Sequence, residues 1–210
     1  MEIPRVKRLE VGPLLTNCYI LYWSDGRAII IDPGDEANRI INTLRELDLD
    51  VEAIILTHGH VDHIAALPEL LNEFNVPFIA HSEEKWLLKL VPQMGKIFGI
   101  KVRPIPLDKM VTISNGDEVA GLKVMHTPGH SPGSISLYGY GMLFSGDTLF
   151  KDAVGRTDLP GGSEEKLCRS LKTLMRLPDE TIVYPGHGEE TTIGYERENN
   201  IILSIVMDIC

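Results

Sequence analysis

Cysteine is scarce in this chain. Its 210 residues include three, Cys18, Cys168 and Cys210, far apart, odd in number and with no CxxC pair. That excludes a disulfide framework and a zinc ribbon, and it reads as reduced thiols in the cytoplasm. Basic charge is short as well: 20 Lys and Arg against 30 Asp and Glu give a net charge of −10. No basic run offsets it, which argues against a nucleic-acid partner. Long apolar runs are missing too. The opening MEIPRVKRLEVG has no apolar core of the signal-peptide kind, and no stretch approaches a membrane span. The expectation is a cytoplasmic protein with neither nucleic acid nor membrane as partner. No linker, low-complexity segment or close repeat interrupts the chain, so residues 1–210 read as a single domain.

What is present is concentrated. Thr57-His58-Gly59-His60-Val61-Asp62-His63 packs three imidazoles and a carboxylate into six consecutive residues, directly after the apolar run Ala53–Leu56. That run reads as a buried strand, so the histidines emerge where a strand ends. With 7 His in the chain, a window of the form H-x-H-x-D-H arises by chance on the order of once in 2,000 such chains. Neutral imidazole with carboxylate is a ligand set for zinc, iron or manganese. Three later segments repeat the arrangement of strand, Gly-containing turn and ligand: VMHTPGH ending at His130, MLFSGD ending at Asp147, and IVYPGH ending at His187.

The surrounding pattern alternates. Strand-like runs cover 6–11, 18–23, 27–31, 52–56 and 77–80, and again 111–113, 122–125, 134–138, 142–144 and 181–184. Helical spacing appears at Ala37, Ile40, Ile41, Leu44 and Leu47. It recurs from Ile64 to Phe74, with Pro68 limiting the first turn, and at Trp86, Leu87 and Leu90 behind a Ser82 cap. Ser163 is placed to cap a further helix bearing Leu167, Leu171 and Leu174. Residues 91–109, punctuated by Pro and Gly, read as a long loop walling a site. The apolar tail Ile201–Met207 must pack on the chain's own body or on a second subunit. Strands followed by helices in both halves suggest an α/β protein with two sheets packed face to face and helices outside.

These motifs resemble those of the metallo-β-lactamase-fold superfamily. Counterparts of all five family motifs are present: Asp32 in IDPG, the HGHVDH cluster, His130, Asp147 and His187. Within the superfamily the chain is most similar to glyoxalase II (hydroxyacylglutathione hydrolase), through TPGHSPGS, FSGDTLF, GRTDLPGG and YPGHG. The resemblance implies a four-layer αββα sandwich with two divalent metal ions, zinc first, with iron and manganese as alternatives. It places His58, His60 and His130 on one metal, Asp62, His63 and His187 on the other, and Asp147 on both. Asp32 then braces the cluster from behind. The implied nucleophile is a hydroxide bridging the metals, with no side-chain nucleophile, and the implied substrate is a small thioester such as S-lactoylglutathione. His81 and His126 match no ligand position, and His126 reads as a packed or hydrogen-bonded residue.

Two features depart from glyoxalase II. Its additional helical domain has no counterpart in these 210 residues, and Gly188-Glu189 stand where a tyrosine follows the last histidine motif. Arg156, in the GRTD stretch, falls where that family has a glutathione-binding lysine. It is expected either to grip a substrate carboxylate or to pair with Asp158. Two other activities of the superfamily stay open: a mononuclear iron persulfide dioxygenase using His58, His130 and Asp147, and a lactone or β-lactam hydrolase. The PGHG…TTIG ending favours the hydrolase group.

Overall fold

The computed structural model describes residues 2–209; Met1 and Cys210 lie outside the described residues. The chain divides into two compact units, Met1–Thr112 and Ile113–Cys210.

In the first unit the order is β1 (Arg5–Val11), β2 (Thr16–Tyr22), β3 (Arg27–Ile31), α1 (Ala37–Glu46), β4 (Asp50–Ile55), α2 (Val61–Ile64), α3 (Leu67–Phe74), β5 (Phe78–His81), α4 (Lys85–Phe98) and β6 (Met110–Ile113). The strands form one sheet in that same order. β1, β2 and β3 pair antiparallel, whereas β3–β4 and β4–β5 are parallel. Parallel neighbours require helical crossovers, which α1 and α2–α3 supply. One face of the sheet, with Cys18, Ile20, Ile30, Ile54 and Phe78, packs into a core with Ile40, Leu44, Leu67, Leu70 and Leu88 of the helices. Tyr19, Leu21, Ile29, Ile31 and Ile55 on the opposite face are buried as well. Strands buried on both faces read as continuous apolar runs, which is why the alternation in β2–β4 is weak.

The second unit follows with β7 (Glu118–Val119), β8 (Leu122–His126), β9 (Ile135–Gly139), β10 (Met142–Gly146), β11 (Leu149–Phe150), β12 (Ala153–Val154), α5 (Glu164–Leu174), β13 (Ile182–Pro185), β14 (Thr191–Thr192), α6 (Ile193–Asn199) and α7 (Ile201–Ile209). Its sheet runs β14-β13-β10-β9-β8-β7, with β11–β12 as a separate ribbon. The β10–β13 pair is parallel and the rest antiparallel. Leu143 and Val183 of the sheet, Leu167, Leu171 and Leu174 of α5, Ile193 of α6 and Leu203 of α7 form its core. Ser163 caps α5 by accepting from Lys166 N at 3.3 Å, as its sequence position predicts.

Two expectations change. Residues 91–98 are not loop, because α4 runs through Pro92 to Phe98 and ends at Gly99 with φ +70. Buried Leu87, Leu88, Val91 and Gly95 keep helical period across the proline, whose ring costs one backbone hydrogen bond that this packing offsets. Ser82 does not cap that helix. It opens a 3-10 turn capped by His81, whose Nδ1 accepts from Glu83 N at 3.4 Å. Cys18 is buried and free. Among the described residues, no helix is long and apolar enough to cross a membrane.

The tail packs on its own unit. Leu203 is 2% exposed, and Val206 and Met207 lie against the same core. Leu203→Ala should lower unfolding free energy by about 2–4 kcal/mol, the usual cost of truncating a buried leucine. Denaturant unfolding checks it, and an unchanged midpoint would mean that α7 does not hold this position.

Candidate metal centre

Strand register assembles the candidate ligands of the first unit. β3 and β4 are parallel with Ile31 opposite Ile55, so both end at one sheet edge, where sites of layered α/β proteins form. Asp32 follows β3 and bonds back through its N–H to Ile55 O at 3.0 Å. Its backbone is left-handed, φ +51, a region Asp tolerates better than most residues. This turn aims its carboxylate at the start of the histidine motif. Asp32 Oδ1 accepts from Thr57 N at 2.7 Å, and Oδ2 accepts from Thr57 Oγ1 at 2.6 Å and from His63 Nδ1 at 3.0 Å.

These bonds fix two tautomers. A hydroxyl has one proton, and that of Thr57 goes to Asp32. The 3.0 Å contact between Thr57 Oγ1 and His58 Nδ1 is therefore donated by the imidazole. With Nδ1–H engaged in both His58 and His63, each ring presents the Nε2 lone pair that a metal takes. The rings sit together, His58 with centroids 4.8 Å from His60 and 4.1 Å from His63. Asp62 Oδ2 accepts from Thr16 Oγ1 at 3.2 Å and stands 3.6 Å from His63 Nε2. Asp32 thus supports the cluster from behind.

Glycines allow the close packing. A Cβ on Gly34 would lie 1.9 Å from the carbonyl oxygen of Asp62, so the IDPG turn must be bare for the motif helix to lie on it. Gly59 N donates at 2.7 Å to Oε2 of Glu84, a fully buried carboxylate just before α4. In the sequence Glu84 is only an acidic residue ahead of a helical pattern. Its role in holding the His58–His60 turn leaves no signal in spacing or periodicity.

The second unit converges on Asp147. It follows β10, and His187 follows the parallel neighbour β13, with Gly186 N bonded to Gly146 O at 2.9 Å. His130 is carried by the turn after β8, which α5 clasps through Ser163 N to Gly129 O at 2.8 Å and Ser170 Oγ to Pro128 O at 2.7 Å. His130 Nδ1 donates to Arg156 O at 2.9 Å, again leaving Nε2 to face the carboxylate. Asp147 Oδ2 lies 3.5 Å from His130 Nε2 and 3.7 Å from His187 Nε2. A Cβ on Gly155 would meet Asp147 O at 2.0 Å, so the GRTD segment presses on the backbone of that residue. His126 binds Pro132 O through Nε2 at 2.9 Å, the hydrogen-bonded role its sequence position suggests.

The spacings test the fit to a metal. Separations of 3.5, 3.6 and 3.7 Å exceed ordinary hydrogen-bond lengths. Bonds of about 2.1 Å at tetrahedral angles put two ligand atoms about 3.4 Å apart. The buried atoms His58 Nε2, His60 Nε2 and Asp147 Oδ1 make no hydrogen bond among the described residues, a costly state that a cation relieves. The donor set therefore fits divalent ions. Arg156, meanwhile, makes a bidentate pair with Asp158 at 2.7 and 2.6 Å, which holds the Asp158 carboxyl down at about 2. Burial, aided by the nearby Asp32 charge, pushes the Cys18 thiol up, which keeps it protonated.

Thr57→Val should weaken metal binding by about 10–100-fold, because the orienting bonds to His58 and Asp32 are lost, while Thr57→Ser retains it. Equilibrium dialysis against a competing chelator measures this. Equal affinity for the Val variant and the native chain would remove the relay from the account.

The family described as Metallo-beta-lactamase superfamily matches residues 11–187. The probable metallo-hydrolase YqgX of Bacillus subtilis is 40% identical, covering 94% of this chain and 97% of its own length. Hydroxyacylglutathione hydrolase GloC of Haemophilus influenzae is 36% identical, covering 95% and 98%. The crystal structure of TTHA1623 in a di-iron-bound form has a TM-score of 0.90 at 37% identity, covering 93% of this chain and 99% of that one. Ligand motifs, fold and relatives agree: the chain belongs to the metallo-β-lactamase superfamily.

Proposed function

We propose that the two units together form one hydrolase domain that cleaves a small thioester of the S-lactoylglutathione type. In this reading His58, His60 and His130 would hold one divalent ion, Asp62, His63 and His187 would hold a second, and Asp147 would serve both. The observation that carries it is the position of Asp147 Oδ2, within 3.7 Å of two imidazole Nε2 atoms at once. That spacing suits a shared carboxylate. The similar GloC supports the thioester, and the di-iron TTHA1623 supports a two-metal centre with iron beside zinc as a candidate.

When bound, two divalent ions supply an acidified water as nucleophile and Lewis acidity at the carbonyl. Everything else falls to the chain. Asp32 and Thr57 hold His58 and His63 with Nε2 outward, and the Arg156 carbonyl does the same for His130. Asp62 is steadied by Thr16. A thioester suits such a centre because a thiolate leaves without prior protonation. Arg156 would take a substrate carboxylate in the bidentate geometry it now offers Asp158.

Asp147→Asn should cut thioester hydrolysis by at least about 1,000-fold, as expected for loss of a shared catalytic ligand, with fewer than two metal equivalents retained. Metal analysis and S-lactoylglutathione turnover check both. Oxygen uptake with glutathione persulfide and no thioester hydrolysis by the native chain would instead identify a dioxygenase. Arg156→Ala should raise KM about tenfold with kcat little changed, and Asp158→Asn should lower KM, because the competing carboxylate is gone. If both variants shift only thermal stability, Arg156 serves the loop alone.

A further inference from the structure

The acidic excess of the chain is not evenly spread. Residues 85–103 contain Lys85, Lys89, Lys96, Lys101 and Arg103 and no acidic residue, in a chain of net charge −10. No contiguous basic run results, which is why the sequence hides it, but α4 gathers the charges. At about 100° per residue, Trp86, Leu90 and Ile97 fall within about 40° of one another around the helix, and Lys85, Lys89 and Lys96 form a second row beside them. Leu87, Leu88, Val91 and Gly95 occupy the opposite, buried side. The apolar row faces outward: Ile97 is 79% exposed, Leu90 40% and Trp86 37%. Arg103 pairs with Glu69. Lys85, Lys89, Lys96 and Lys101 form no ion pair among the described residues.

We propose that the outward face of α4 docks on an anionic phospholipid surface. An exposed apolar row bearing tryptophan, flanked by lysines, matches the interfacial helix: apolar side chains enter the headgroup boundary and ammonium groups meet phosphates. A second copy of the chain is the poorer occupant, because antiparallel pairing of this face brings lysine rows together. A soluble polyanion would leave the apolar row without a role. The helix is too short to span a bilayer, so the contact is peripheral and compatible with the missing membrane span. It runs against the expectation, drawn from the lack of a long apolar run, that membranes are no partner. It is independent of the proposed thioester chemistry. Because Glu84, just before α4, holds Gly59 of the histidine motif, the docking face is fastened to the metal turn.

Sedimentation of the full chain with sucrose-loaded vesicles tests the proposal. Vesicles containing 30% phosphatidylglycerol should bind it at least about tenfold more than pure phosphatidylcholine, with the difference abolished at 0.5 M salt. The triple variant K85E/K89E/K96E and the double variant L90S/I97S should each reduce binding at least about tenfold. All these positions are exposed and outside the metal centre, so thermal stability and hydrolysis of a soluble thioester should be unchanged. Should one variant fail to fold, the other decides. Three results would overturn the proposal: no binding that depends on phosphatidylglycerol; vesicle binding unaffected by L90S/I97S, pointing to a site for soluble polyanions; or loss of a dimer in L90S/I97S by ultracentrifugation, pointing to a second copy.

Discussion

The hydrogen-bonded cluster of Asp32, Thr57, His58 and His63 is the constraint on which the first unit's chemistry depends. Imidazole is a metal ligand only when the correct nitrogen carries the lone pair, and solvent leaves that choice open. Here one carboxylate, placed by a left-handed residue at the end of β3, fixes it for two rings. It acts directly on His63 and through a hydroxyl on His58. The parallel register of β3 and β4 brings Asp32 and Thr57 side by side. Crossover helices, buried strands and the core beneath them can be understood as the scaffold that keeps this register.

The second unit reaches the same end with a different device. A backbone carbonyl, that of Arg156, orients His130, and that loop is in turn stiffened by the Arg156–Asp158 fork. Two strand ends, of β10 and β13, set Asp147 beside His187. Both units thus hold tautomers and spacings through bonds of their own, the kind of support a metal site needs. Backbone geometry supplies much of this order, and side-chain identity supplies the rest.

The sequence disclosed the candidate ligands and most of the strands because both leave local marks. HGHVDH is dense enough to stand out, and the strand, glycine and ligand order repeats at His130, Asp147 and His187. Helix α5 was legible from Ser163 and its leucine spacing. What stayed hidden depends on contacts between distant segments. Glu84 is one acidic residue among many until α4 is seen against Gly59. Thr57 gains meaning only from Asp32, 25 residues earlier. Pro92 suggested a break, yet the apolar period of Leu87, Leu88 and Val91 outweighed it. The lysines of α4 are scattered in sequence and aligned only once wound into a helix. Local propensity cannot report such tertiary effects.

The tight seating of Gly34 on Asp62 and of Gly155 on Asp147 bears on how this chain can vary over time. Neither glycine has a side chain to offer a metal, yet a Cβ at either would push a backbone oxygen out of place. Drift is thereby channelled: surface positions are free to wander and new specificities can arise in the loops, while two spots without any functional group of their own are barred from change as firmly as the histidines.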